Sequence, residues 1–416
     1  MATKKSAVQE PLVPSEVLIE HLGIASKRLA ELEKRGVVNY RMIESQKHYS
    51  VTALKHYLNP PKNPDHIVPG VARSGKLVVA ELFCGAGGLA LGLSRAGLNT
   101  TLATDWDKDC IETITRNAPE WNPQQADVSV LNLKQLKGTV DVLTGGFPCQ
   151  AFSYAGNRLG FGDIRGTLFY EYARLVKQIR PKLLVAENVR GLLQHDSGRT
   201  LKTMTEELRA LGYRIAYRIL RSQFLDVPQK RERLIILGIR KDVGSDVYFP
   251  IEKLSVATLR GALRDVPPSA GATYPPEKRR VMALIPPGGN WRDLPLGEQK
   301  KYMKASFHLG GGKTGLARRL SLDEPSLTLT TAPAQNQTER CHPIETRPLS
   351  VREYARIQTF PDNWEFAGST ASQYRQIGNA VPVNLGFHIG IAIRRTLGER
   401  PSNASLVTEL EQVEAV

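Results

Sequence analysis

From Lys76 to Arg240 short apolar runs alternate with helix-patterned segments, and this alternation restricts the fold more than any other feature of the chain. "KLVVAEL", "NTTLATD", "DVLTGG", "PKLLVAENV", "RIAYRILRS" and "RLIILGIR" read as strands. Leu89 to Ala96, Asp107 to Asn117, Leu168 to Ile179 and Thr200 to Leu211 read as the helices between them. Apolar strand runs separated by helices specify a sheet covered on both faces, an α/β doubly wound architecture.

The rest of the chain divides around that block. Residues 1–60 read as helix (Ser15 to Leu22), helix (Ala25 to Arg35), hairpin (Val37 to Ser50) and closing helix (Val51 to Leu58), the pattern of a winged helix-turn-helix domain. A docking domain without DNA contact gives the same pattern. Residues 61–75 are a proline-rich linker, which "NPPKNPDHIVPG", from Asn59 to Gly70, runs into. The first part of the α/β domain spans 76–241. Residues 242–365 form a smaller, loop-rich module containing "PPG", "GGG" and "LTLTT", 366–400 complete the α/β domain, and 401–416 are a flexible tail.

Charge points to the partner. Lys and Arg number 56 against 41 Asp and Glu, a net charge of +15. Such an excess favours a polyanion, and nucleic acid above all. Between Lys278 and Arg319 the loop-rich module has ten Lys or Arg against two acids, Asp293 and Glu298. The four cysteines, Cys84, Cys110, Cys149 and Cys341, form no CxxC pair, and no histidine lies at zinc-finger spacing, so no metal is expected. No apolar run has transmembrane length and the start lacks the apolar core of a signal peptide, so a cytoplasmic chain with reduced thiols and no membrane partner is expected.

Four stretches carry chemistry. In "ELFCGAGGLALGL", Gly85, Gly87 and Gly88 follow a strand and open a helix, where backbone can approach a ligand; Asp105 ends the next strand, placed to bond ribose hydroxyls, with Trp106 beside it to stack on a base. In "GGFPCQAFS", Cys149 follows two glycines and a proline at the end of a strand, as an exposed nucleophile would. Glu187 and Asn188 in "LLVAENVRGLL" sit at a strand's carboxyl end, where open α/β sheets keep their sites. In "VPQKRERLIILGIR", alternation sends Arg231 and Arg233 to one side, suited to a phosphate or a base carbonyl. A surface salt-bridge pair fits that last motif equally well.

In order, FCGAGG, DWD, GGFPCQAFS, AENV, QKRER, a variable basic module, RPLSVREYARIQTFP and QIGNAVP closely resemble the DNA cytosine-5 methyltransferases of bacterial restriction–modification systems, over residues 77 to 397. The resemblance implies a Rossmann-like methyltransferase domain, a target-recognition domain in the basic module, S-adenosylmethionine as cofactor and double-stranded DNA as substrate. It implies that Cys149 attacks cytosine C6, that Glu187 bonds N3 and the exocyclic amine, and that Arg233, with Arg231 near, holds O2. Phe83, Gly85 and Gly87 would cradle the methionine part of the cofactor, Asp105 its ribose, Trp106, Asp127 and Val128 its adenine, and Asn379 would return to the same pocket. A target inside a duplex must be flipped out. The expected function is protection of DNA from a cognate endonuclease by a monomer on its site, with the N-terminal domain binding promoter DNA as a dimer. The alternatives are a tRNA cytosine-5 methyltransferase and a DNA-binding regulator whose catalytic domain is inactive.

Overall fold

The computed structural model describes residues 12–15, 33, 40–50, 76–147, 168–308, 315–335, 338–399 and 410–413. They belong to two units, Met1–Ile67 and Val68–Val416. In the first, β1 (Leu12–Pro14), β2 (Tyr40–Ile43) and β3 (Gln46–Ser50) form an antiparallel sheet in the order β1-β3-β2. Glu44 and Ser45 join the hairpin with φ of 49° and 64°, the sign that a tight two-residue turn between right-twisted strands demands. The hairpin therefore lies where the sequence places it. The linker and nearly all of the helical segments expected beside the hairpin lie outside the described residues.

The second unit is built on a seven-stranded sheet. Its strands are β4 (Val78–Leu82), β5 (Asn99–Asp105), β6 (Pro123–Gln125), β7 (Val142–Gly145), β8 (Leu183–Val189), β9 (Tyr213–Arg221) and, beyond the short β10 (Gln229–Lys230), β11 (Glu232–Arg240). Their order is β6-β5-β4-β7-β8-β11-β9, parallel from β6 to β8, with β11 antiparallel to both its neighbours. The chain leaves β4 toward one edge and comes back to β7 on its other side. The loops after β4 and β7 thus diverge at a switch point, the place where open α/β sheets bind ligands. Among the described helices, α1 (Gly88–Arg95), α2 (Lys108–Asn117), α3 (Leu168–Ile179) and α4 (Arg199–Ala210) fall within a residue of the sequence reading.

Packing within the second unit bears on the boundaries of its parts. Part of the loop-rich stretch has a hydrophobic cluster of its own. This cluster comprises Tyr274, Val281, Met282, Ile285, Trp291, Leu294, Met303, Ala317 and Cys341, with α6 (Pro276–Ala283) and α7 (Leu296–Met303) but not the short α5 (Leu259–Ala262). Leu349, Val351, Tyr354, Ile357 and Phe360 instead pack with Ala86, Ile111 and Trp121, so α8 (Val351–Ile357) already belongs to the sheet domain. The tail is not wholly free: past a short β13 (Ser326–Leu327), the last described strand, β14 (Leu410–Val413), pairs antiparallel with β12 (Val247–Pro250).

Two more helices, α9 (Thr370–Asn379) and α10 (Val383–Thr396), complete the domain. Helix α10 lies so close to α1 that only glycine fits between them. A methyl group at Gly92 would stand 2.3 Å from the carbonyl oxygen of Val383 and 2.5 Å from the carbonyl carbon of Gly386. Backbone cannot yield as a side chain does. Gly92→Ala is therefore expected to cost about 2–3 kcal/mol, the scale of an overpacked core, measured as a lower urea midpoint at an unchanged slope.

Candidate active site

The glycine-rich turn is fixed from below. Cys84 N–H bonds the carbonyl of Thr104 at 3.0 Å, and Gly85 N–H donates to Asp105 Oδ2 at 2.8 Å, which locks the turn onto the end of β5. Asp105 Oδ1 takes the amide of Asp107 at 2.9 Å. Burial pushes the Asp105 carboxyl above its ordinary value against the pull of these amides. Phe83 and Gly85 have φ of 56° and 51°. Among the described residues a side chain at Gly85 would meet nothing within 4 Å, so they leave open space there, whereas one at Gly87 would press on Trp121 at 3.1 Å and touch Ile114 and Trp364 at 3.4 Å. Gly85 therefore borders the open side and Gly87 serves the packing beneath.

Trp106 is 77% exposed, unusual for so large an apolar ring. Its carbonyl accepts from Gln125 Nε2 at 3.1 Å, which ties it to the next strand. Asp127 is exposed and caps the turn containing the buried Val128 by accepting from Ser129 N–H at 2.9 Å. The QIGNAVP segment returns to this end: a methyl at Gly88 would stand 2.1 Å from the carbonyl oxygen of Val381, and Asn379 is exposed at the last position of α9. An open glycine cradle, an acid at the strand end and an exposed ring together fit a nucleoside cofactor with a charged head.

Glu81 is a feature that sequence reasoning missed. It is buried in β4 beneath the turn, near the amide of Ala90 in the first turn of α1, and its Oε2 has no partner among the described residues. Burial pushes its carboxyl up to about 8. Cys84, Cys110 and Cys341 are buried, and burial pushes their thiols up.

The catalytic side gathers on β7, β8 and β11. Glu187 and Arg233 lie diagonally across the antiparallel pair, because Glu187 stands opposite Ile235. Arg233 Nε meets Glu187 Oε1 at 2.6 Å, with the two side chains 12% and 13% exposed. A methyl at Gly146 would lie 3.2 Å from Glu187 Oε2, and one at Gly145 would strike the Tyr172 ring at 2.7 Å. Asn188, 3% exposed, donates from Nδ2 to the carbonyl of Phe147 at 3.2 Å. So β8 holds the last described residues before Cys149, which itself lies outside the described residues.

Arg231 departs from the expectation. The ladder breaks at this residue, where Arg231 N–H turns back to the carbonyl of Gln229 at 2.8 Å, and the alternation that would have set it beside Arg233 is lost. Its side chain is 1% exposed. Nη1 donates to the carbonyls of Gly378 (3.1 Å) and Leu329 (3.4 Å), and Nη2 to that of Ala380 (3.1 Å). Beside it, Gln229 takes the amide of Leu329 at 2.9 Å and donates to Gln358 at 2.8 Å, while Gln358 reaches the carbonyls of Ile377 and Ala380. Arg231 thus braces the site without facing the cleft.

That cleft, ≈ 320 Å³, is lined by Val189, Arg190, Gly191, Lys230, Glu232, Arg233 and Thr328. The family model of the C-5 cytosine-specific DNA methylases matches residues 77–395, which contain every element of the site. The chain belongs to this family. The methylase is 58% identical over 325 residues to the Type II methyltransferase M.Eco47II of Escherichia coli, covering 76% of this chain and 78% of that one. It is 50% identical to M.Sau96I of Staphylococcus aureus, covering 80% and 79%. Its fold superposes with a TM-score of 0.59 on a putative DNA modification methyltransferase encoded within an Escherichia coli prophage, at 26% identity, over 78% of this chain and all of that one. It is a bacterial DNA cytosine-5 methyltransferase of the restriction–modification type, and DNA is its substrate. Among the described residues no group of three His, Cys, Asp or Glu is placed to hold a metal, and no helix is long and apolar enough to cross a membrane.

The two arginines should part company on mutation. Arg231→Leu takes the guanidinium away from the buried carbonyls of Leu329 and Gly378, leaves that of Ala380 only Gln358, and is expected to cost about 3 kcal/mol of stability, seen in urea unfolding. Arg233→Leu removes the partner of Glu187 at the cleft and is expected to keep most of the stability while losing methyl transfer. Equal stability losses for both would contradict the different roles.

Proposed function

We propose that this methylase acts on a cytosine extruded from a specific duplex sequence, through a covalent bond between Cys149 and C6, and that the product protects DNA from a cognate endonuclease. The observation that carries the reading is the Glu187–Arg233 pair at the cleft, which lies beside Gly146, itself three residues before Cys149 in the chain. Cytosine C5 is a poor nucleophile. Addition of the Cys149 thiolate to C6 makes C5 enamine-like and nucleophilic. Glu187 bonds the N3 and exocyclic amine edge and supplies a proton at N3 as negative charge develops there. Arg233 donates to O2. When bound, S-adenosylmethionine supplies the electrophilic methyl that C5 takes. Loss of the C5 proton to water and expulsion of the Cys149 thiolate, with the N3 proton returning to Glu187, then restore the aromatic ring and free the enzyme.

For the cofactor, Phe83 and Gly85 would border the methionine part, Asp105 would accept from ribose hydroxyls, and Trp106, Asp127 and Val128 would flank adenine, with Asn379 closing the pocket. The open space at Gly85 and the exposure of Trp106 support this assignment. Gly87 is better explained by packing.

Cys149→Ala is expected to abolish methyl transfer to duplex DNA while leaving DNA binding within a few-fold of the original, because the basic surface supplies the affinity. Glu187→Gln is expected to lose on the order of a hundredfold in turnover, the usual scale of an acid–base contribution, with an unchanged KM for S-adenosylmethionine. Duplex DNA and tRNA are compared as methyl acceptors in the same assay, and turnover on tRNA alone would overturn the assignment.

We also propose that the N-terminal unit is a winged helix-turn-helix that binds promoter DNA as a dimer. What supports it is the hairpin, held by Lys47 Nζ on Glu33 at 2.5 Å and by Tyr49 donating to Glu33, together with the position of residues 1–76 outside the family match. Deleting residues 1–75 is expected to leave methylation intact and to remove a footprint on the upstream region of its own gene. A footprint retained after that deletion would contradict the proposal.

A further inference from the structure

The QKRER stretch divides its cations. Arg231 is spent inward and Arg233 faces Glu187, but Lys230 stays at the rim of the cleft, 42% exposed. Arg190, directly after β8, lines the same cleft and is 63% exposed. Each rim cation rests on an acid. Arg190 Nη1 meets Glu232 Oε2 at 2.7 Å, and Lys230 Nζ meets Glu324 Oε2 at 3.3 Å. These acids are themselves 35% and 51% exposed. Thr328 fixes the rim on that side by donating from Oγ1 to the carbonyl of Lys230 at 2.6 Å.

A base that reaches Glu187 and Arg233 enters the cleft alone. Its sugar and the phosphates on either side stay at the mouth, where the contacts that set register are made. Resting on the function proposed above, we propose that Arg190 and Lys230 bind the phosphodiester groups flanking the extruded nucleotide, and that Glu232 and Glu324 are placeholders that the DNA backbone displaces. The exchange is favourable for two reasons. Exposed ion pairs contribute little to stability. A phosphate contact releases condensed counterions, which an internal pair does not. Before DNA arrives, the carboxylates hold the two long side chains at the mouth. After it arrives, their charge weakens any backbone contact that lacks a base in the cleft.

The test uses the full chain and a duplex carrying its methylation sequence, located by bisulfite sequencing of DNA from cells that express it. Dissociation constants are measured against sodium chloride for the natural protein and for Arg190→Gln, Lys230→Gln, Arg190→Lys and Glu232→Gln. Each of the first two is expected to lower the slope of log affinity against log salt by about 1 and to weaken binding about threefold to tenfold near 0.1 M salt. The KM for S-adenosylmethionine should not change. Arg190→Lys keeps the charge and should keep the slope, which a merely structural role would not predict. Glu232→Gln should tighten binding several-fold. Slopes unmoved by the first two variants, or weaker binding by Glu232→Gln, overturn the proposal while leaving the methylation assignment intact. Failure of the natural protein to bind or methylate the duplex would instead remove the assignment on which it rests.

Discussion

A guanidinium buried against backbone carbonyls, with no carboxylate bonded to it, organises the catalytic unit of this protein. Arg231 draws its hydrogen bonds from Leu329, Gly378 and Ala380, residues 98 to 149 positions further along the chain. A charge taken out of water must be met by acceptors or it destabilises the fold by several kcal/mol. Here the acceptors come from the end of the loop-rich stretch and from the C-terminal return. Folding can bury Arg231 only by bringing those segments to β11. Gln229 and Gln358 extend the knot, so every buried amide in it has a partner on another segment. Arg233 then needs no brace of its own. It stands two residues away on a strand whose start is pinned, and it inherits that position.

The paired glycines at the end of β7 follow from two contacts rather than from a need for flexibility. Gly145 leaves room for the Tyr172 ring, whose hydroxyl donates to the carbonyls of Leu143 and Val185 and so staples β7 to β8. Gly146 leaves room for the Glu187 carboxylate. Any side chain at 146 would press on the group expected to bond the base. Asn188 completes the arrangement by holding the carbonyl of Phe147. The acid and the segment leading to Cys149 are thereby set by neighbouring residues of a single strand.

Much of this was legible in the sequence. Strand β8 was read from PKLLVAENV because an unbroken apolar run ending in Glu and Asn fits a buried strand with a functional end. Helix α2 was read from its pattern, and Asp107 caps it as an N-terminal acid should. Period-two alternation misplaces Arg231 because it assumes a continuous strand, and a break between β10 and β11 turns that side chain inward. Glu81 gives no local signal, because an acid in an apolar run says nothing of what lies beside it, here the first turn of the helix that follows. The extent of the small module and the pairing of β14 depend on contacts between residues more than a hundred positions apart. No local pattern in the chain carries that information.

The site's charge arrangement also bears on which base it accepts. Along its pairing edge cytosine presents an amine donor, a bare N3 and a carbonyl O2. Under the proposed assignment, Glu187 meets the first two and Arg233 the third. Thymine presents a carbonyl where cytosine has the amine, so a carboxylate oxygen would face another acceptor with water excluded. Its N3 already carries a proton and has no need of one from Glu187. A buried polar group left unmatched in this way can reject the wrong ligand by about 10⁴-fold or more, whereas a methyl too many in an apolar pocket is worth only about 10- to 200-fold. Discrimination against thymine therefore rests mainly on Glu187 rather than on steric exclusion of the 5-methyl group. The side chain that assists the chemistry is then the one that excludes a base on which the chemistry would be futile.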